Sequence, residues 1–348
     1  MFPDDWFCRV HRRLASDLCV ALPSSLMKIL VTGGAGYIGS ICVEELLKAG
    51  HAVVLIDNLS EGHRQAIDPR AAFVEGDLGD GALLAATLKQ HRPEAVMHFG
   101  ANALVPESMV NPTKYFRNNV ANGINLLEAC VQAGIRKFVF SSTCAIFGMP
   151  KTVPIGEDLP KSPINPYGES KLMFERILDW YDRIHGLRSV RLRYFNAAGA
   201  TQKFGEHHRQ ETHLIPNVLQ VALGQKPHVE IFGTDYPTPD GTCIRDYIHI
   251  VDLAQAHMLA LGCEKSDVFN LGSGGGYSVR QVVETARKVT GHKIPVVESP
   301  RRPGDPARLV ADSAKIRKSL GWTPRFESIE AIIDSAWQWH RQHPHGYA

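Results

Sequence analysis

The sequence contains no run of eighteen consecutive apolar residues, so it offers no helical membrane span. It has no excess of either charge. Its 38 Lys and Arg stand against 36 Asp and Glu, a formal net charge of +2 with the two signs interspersed. That leaves no basic stripe for nucleic acid and no polybasic tail for anionic lipid. No nucleic-acid or membrane partner is expected. The seven cysteines are odd in number and include no C-x-x-C pair, which points to a reduced, cytoplasmic chain rather than a disulfide framework. The sixteen histidines are scattered, with no H-E-x-x-H and no compact ligand cluster, so no metal is expected.

What is present is an ordinary globular composition. At about 150 residues per domain, 348 residues suggest two lobes, and 44% apolar content supplies a core. Residues 1–26 mix Arg9, Arg12 and Arg13 with Asp4, Asp5 and Asp17. They read as an N-terminal extension or a mis-assigned start, with Met27 as the functional beginning. Short apolar runs at 27–32, 52–56, 72–75, 95–98, 137–141 and 189–193 read as strands. Helical stretches fall between them, near 82–90, 112–133 and 166–184. Strands alternating with helices predict an α/β fold with a Rossmann-like, doubly wound parallel sheet over 27–195. After Asn196 the loops grow rich in Gly, Pro and Thr. Residues 196–348 are expected to form mainly a smaller, mixed α/β substrate lobe, with a segment near 246–261 returning to the first sheet.

Two motifs carry chemistry. Gly33, Gly36 and Gly39 lie between the first strand and the first helix. Glycines there permit a tight turn and bring a dinucleotide pyrophosphate onto the backbone and the helix N-terminus. Asp57 closes the second strand at roughly the twenty-residue spacing expected of a carboxylate that binds the ribose diol and repels a 2′-phosphate, which favours NAD over NADP. Asp77, after the third strand, is either an adenine contact or a helix cap. Downstream, Tyr167 and Lys171 are one helical turn apart and share a face. A cation beside a phenol favours the phenolate, and a phenolate beside a nicotinamide can take the proton of an alcohol. Thr143 ends the fifth strand, where strand carboxyl ends meet the ligand crevice. Its hydroxyl can bond the reacting oxygen.

The chain from Met27 onward resembles the extended short-chain dehydrogenase/reductases, and within them the UDP-glucose 4-epimerase family. The strings that carry this are TGGAGYIGS at Thr32, DNLS at Asp57, YFRNNV at Tyr115 and PYGESK at Pro166. LRYFNAAGA at Leu192, FGTDYPTPDGTCIRDYIH at Phe232 and RRPGD at Arg301 complete them. The resemblance implies a reversible inversion at C4 of UDP-glucose and UDP-galactose through a transient 4-keto sugar. Tyr167 would be the base, Lys171 would lower its pKa and hold the nicotinamide ribose, and Thr143 would assist. It further implies cofactor contacts at Tyr37, Ile38, Asp57, Asn58, Asp77, Leu78, Phe99, Asn118 and Phe195. Contacts around UDP or sugar fall at Asn196, His213, Leu214, Phe232, Arg245, Arg302 and Asp305, with Leu309 lining the pocket near sugar C2. A homodimer through the 112–133 and 166–184 helices follows from the same resemblance. Related dehydratases carry Asp-Glu after the threonine, and related decarboxylases carry a Glu there. Cys144 and Ala145 stand in those places, and an elimination needs an acid and a base. Epimerases of other UDP-sugars (N-acetylated, pentose or uronate) would use the same chemistry with different pocket contacts.

Overall fold

Alternation along the first strand sets the architecture. In β1 (Lys28–Thr32), Ile29 and Val31 point into one apolar core, and Leu30 points into another. A strand buried on both faces belongs inside a parallel sheet with helices on each side. The computed structural model describes residues 26–302 and 304–347. The expected N-terminal extension, apart from Leu26, lies outside the described residues.

Beside β1 run β2 (Ala52–Asp57), β3 (Ala72–Glu75), β4 (Ala95–His98), β5 (Lys137–Thr143) and β6 (Arg188–Tyr194). Further strands are β7 (Asn196–Ala198), β8 (Val229–Phe232), β9 (Ile244–Arg245), β10 (Tyr247–His249), β11 (Asp267–Leu271), β12 (Tyr277–Ser278), β13 (Val296–Ser299) and β14 (Arg308–Leu309). The main sheet has seven strands in the order β11-β6-β5-β4-β1-β2-β3. Every pairing in it is parallel. The order reverses between β1 and β4, the switch point where such folds bind ligands.

The helices are α1 (Tyr37–Lys48), α2 (Gly81–His91), α3 (Val105–Val110), α4 (Pro112–Phe116), α5 (Asn122–Gln132) and α6 (Pro166–His185). They continue as α7 (Leu214–Ala222), α8 (Ile250–Ala260), α9 (Val279–Thr290), α10 (Ala314–Leu320) and α11 (Ile329–Gln342). Ile41 and Leu46 of α1 and Leu253 of α8 join one core. Leu84 of α2, Leu126 of α5 and Phe174 of α6 join the other. A third core gathers Val218 of α7, Val282 of α9 and Ile332 of α11.

Two differences from the sequence reading have physical causes. The expected continuous helix over 112–133 is interrupted by a π-turn at Arg117–Ala121. There Asn119 turns inward and bonds distant groups, a use of a helix irregularity common at functional sites. The segment 246–261 holds β10, which pairs with β7, and α8, which packs on the main sheet. The seventh strand itself comes later, at β11. Its polar Asp267 and Asn270, two of its five residues, hid it from a search for apolar runs.

Candidate active site

The turn after β1 is shaped for close backbone approach. Gly33 has a φ of +70°, and a Cβ on it would lie 2.6 Å from the Gly100 nitrogen. A Cβ on Gly39 would lie 2.1 Å from the Gly33 carbonyl oxygen. Gly36 occupies the N-cap position just before α1 and provides no side-chain cap. The N–H groups of Tyr37, Ile38 and Gly39 therefore face outward, unpaired within the helix, at the positive end of its dipole. This arrangement fits a dinucleotide pyrophosphate.

The cofactor positions predicted from sequence gather around this turn. Asp57 closes β2; one oxygen accepts from Ala35 N at 2.9 Å and the other from Leu59 N at 2.8 Å. Burial raises its pKa, and those two N–H bonds oppose the rise. The Asn58 amide donates to Asp77 at 2.6 Å. Asp77 is not a helix cap: it accepts from Gly79 N and from Asn122, while Asp80 caps α2. Leu78 is buried near Gly100, and the Phe99 ring lies 4.8 Å from that of His257. Asn118 sits on the π-turn and donates to Asn119 at 3.0 Å.

The proposed catalytic groups come from β5 and α6. Asn165 caps α6 by accepting from Gly168 N at 2.8 Å, and Pro166 occupies its first turn. This fixes the helix start one residue before Tyr167. Tyr167 and Lys171 are only 8% and 4% exposed. Burial pushes the Tyr167 phenol up to about 12; the neighbouring Thr143 hydroxyl pulls it back and the Cys144 thiol adds to the rise. The Lys171 ammonium donates to Ser141 O at 2.9 Å and lies 4.9 Å from the Phe140 ring centroid. In the absence of a bound dinucleotide, burial is the largest influence on both groups, raising the phenol and lowering the ammonium.

Burial lowers Lys171 to about 7, against the pull of Glu175. An unfolded lysine titrates near ~10.4. Between those values the unfolded chain holds the extra proton, so stability rises with pH across that window. The NAD-free protein should gain stability between about pH 7.5 and 9.5, and Lys171→Met should gain less. Urea midpoints at both pH values test this, and identical gains in the two proteins would refute it.

On the opposite side, Phe195 is buried after β6, and the Asn196 amide donates to Asp246 O at 2.8 Å. Arg245 on β9 pairs with Asp305, and Leu309 on β14 lies in register with Arg245. The Arg302 guanidinium stacks 3.8 Å from the centroid of the Phe232 ring. The structure thus brings Arg245, Asp305 and Leu309 together, and separately Phe232 and Arg302. His213 precedes α7 and Leu214 opens it.

Three features escaped the sequence reading. Asn119 joins two segments: it pairs with both backbone groups of Asn102 at 2.9 Å and donates to Ser170 at 3.0 Å. Ser170 in turn bonds the Tyr167 carbonyl at 2.7 Å. Glu175 and Arg193 form a buried ion pair behind Lys171. The expectation of no compact ligand cluster is also corrected. Glu206, His208, Glu211 and His213 bring one donor atom each to within 4.8 Å of one another. The spacing Glu-x-His-x-x-Glu-x-His was the available signal, and a search restricted to helical and cysteine templates passes over it.

A crevice of this construction defines an NAD-binding protein of the doubly wound class. Comparison with known proteins narrows the class. Residues 29–272 match the NAD dependent epimerase/dehydratase family, and the chain belongs to it. It is 52% identical to the UDP-glucose 4-epimerase of Lacticaseibacillus casei over 92% of this chain and 99% of that one. A crystal structure of a UDP-glucose 4-epimerase superposes with a TM-score of 0.91 at 50% identity, covering 92% of this chain and 99% of the other. The Brucella ovis UDP-glucose 4-epimerase in complex with NAD superposes at 0.87, with 45% identity over 89% and 97%.

Proposed function

We propose that this chain interconverts UDP-glucose and UDP-galactose by inverting C4, with NAD held as a resident cofactor. One observation carries the proposal: a buried Tyr167 and Lys171 open α6 behind a Thr143 that ends β5, with no carboxylate at positions 144 and 145 to run an elimination. NAD, held by the Gly33–Gly39 turn, Asp57 and their neighbours, supplies a hydride acceptor and donor when bound. Tyr167 takes the proton of the 4-hydroxyl and later returns it, so the sugar passes through a transient 4-keto form. Thr143 holds the same oxygen by a hydrogen bond. Lys171 places an ammonium at the floor of the site. Arg245 and Arg302 grip the pyrophosphate, for which a guanidinium fork is well matched. Asn196, His213, Leu214, Phe232 and Asp305 complete the nucleotide grip, and Leu309 bounds the sugar.

The test is sugar analysis after incubation with UDP-galactose. UDP-glucose should accumulate to equilibrium without net NADH. Absence of UDP-glucose, with turnover of an N-acetylated, pentose or uronate UDP-sugar instead, would replace the substrate but keep the chemistry. No turnover of any UDP-sugar would end the proposal.

The same proposal takes the active form to be a homodimer. Met173, Trp180 and Ile184 are exposed along α6, an apolar stripe that supports pairing there. The five described cysteines are free thiols, which supports a cytoplasmic setting. Among the described residues no helix is long and apolar enough to cross a membrane.

A further inference from the structure

We propose that the loop leading into α7 is a divalent-metal site, with Glu206, His208, Glu211 and His213 as its ligands. The ion would fasten this loop over the segment that follows Asp57.

The donor geometry is the first argument. His213 Nδ1 lies 2.8 Å from Glu206 Oε1 and 3.3 Å from Glu211 Oε1. His208 Nε2 lies 3.2 Å from Glu206 Oε1. A tetrahedral zinc with bonds of about 2.0–2.2 Å sets its donors about 3.3–3.5 Å apart. These three separations lie at or just below that value and every other pair lies within 4.8 Å, so side-chain rotations that open the short contacts and close the long ones would complete the sphere. Two imidazoles and two carboxylates suit zinc better than a soft ion such as Cu(I), and they offer nitrogen that Ca²⁺ or Mg²⁺ would not select.

Burial is the second argument. Glu206 is 5% exposed, and a carboxylate so enclosed needs cationic or hydrogen-bonded partners. Its partners, His208 Nε2 and His213 Nδ1, are the nitrogens that would bind a metal, which leaves His213 Nε2 for the nucleotide contact proposed above. The His-Glu-His chain and the metal site are therefore alternative occupancies of one set of atoms, proton against ion. His208 and His213 are partly exposed and leave a path from solvent. His340 is buried within reach of the field of Glu206 and Glu211, and its Nε2 has no hydrogen-bond partner among the described residues.

The loop's other contacts say what an ion would do. His63 Nε2 meets His207 O at 2.9 Å, and Arg209 donates to Ser60 O at 2.8 Å and to Leu59 O at 3.2 Å. The Tyr37 hydroxyl donates to Gly199 O at 2.6 Å, and its ring stands edge-on to His208 at 6.3 Å. The loop thus straps across the residues after β2 and the start of α1. Tying its four side chains to one ion would stiffen this strap and the start of α7 together.

The test uses untagged, full-length protein stripped with a chelator. Titration with Co²⁺ should give one equivalent per chain with the visible bands of a tetrahedral nitrogen–oxygen site. Zn²⁺ should displace it and raise the thermal midpoint. His208→Ala should weaken Co²⁺ binding at least tenfold while circular dichroism stays that of the parent. Should that variant fold poorly, Glu211→Gln, which keeps shape and removes a charged ligand, should show the same weakening. No saturable binding at one equivalent would overturn the proposal, as would parental affinity in a folded variant.

Discussion

Replacing Tyr167 by phenylalanine should reduce turnover by about 10²–10⁴-fold, the usual contribution of a general acid–base group. The substitution removes one oxygen and leaves the ring. That ring is buried and stands nearly perpendicular to Tyr115, centroids 6.4 Å apart, so its packing survives. The folding midpoint and the NAD content of the purified protein should stay close to those of the parent. Tyr115 supplies the control. Its hydroxyl lies 2.6 Å from Leu104 O and 2.8 Å from Glu107, both structural partners. Tyr115→Phe should cost stability of about 1 kcal/mol and spare turnover once folded. Near-parental turnover in Tyr167→Phe would remove it as the proposed base.

How far the sequence announces this arrangement depends on the range of the interaction. Local period and spacing are legible: the alternation of 28–32, the glycines of 33–39 and the helical turn separating Tyr167 from Lys171 each show themselves within a dozen residues. The strand lengths come within a residue or two of the structure, because they end where apolar character ends. Non-local pairs are not legible. Nothing near Asn119 foretells Ser170, and nothing near Glu175 foretells Arg193, since each partner arrives through the fold. The electrostatics are illegible for the same reason. A tyrosine and lysine sharing a helical face suggest mutual influence, but the spacing does not show that burial weighs most on both, or that Lys171 also donates to Ser141 O. Burial depth is a property of the assembled sheet, not of a four-residue spacing.

Glu175→Ala should be the most destabilising single change near the site, by about 3–5 kcal/mol, the cost of stranding one member of a buried ion pair. Glu175 Oε2 accepts from Arg193 Nη2 at 2.6 Å and Oε1 from Arg193 Nε at 2.9 Å. Oε1 also takes the Ser142 hydroxyl at 2.6 Å. The two charged side chains are only 3% and 5% exposed. Without the carboxylate, Arg193 keeps the Glu157 carbonyl at 3.2 Å and the face of Phe147 at 5.5 Å, neither of which offsets a buried charge. Lys171 would also lose the group that raises its pKa, so more of it would be neutral at ordinary pH. The two consequences separate in a double variant. Glu175→Leu with Arg193→Met removes both charges, and such replacements are often neutral or stabilising. Urea midpoints should therefore fall for Glu175→Ala and recover in the double variant, while turnover per folded molecule stays low in both because the lysine has lost its carboxylate. A loss under about 1 kcal/mol in the single variant would show that Arg193 finds water or another partner, placing the pair among weak surface bridges. Full turnover in a stable double variant would show that Lys171 needs no help from Glu175.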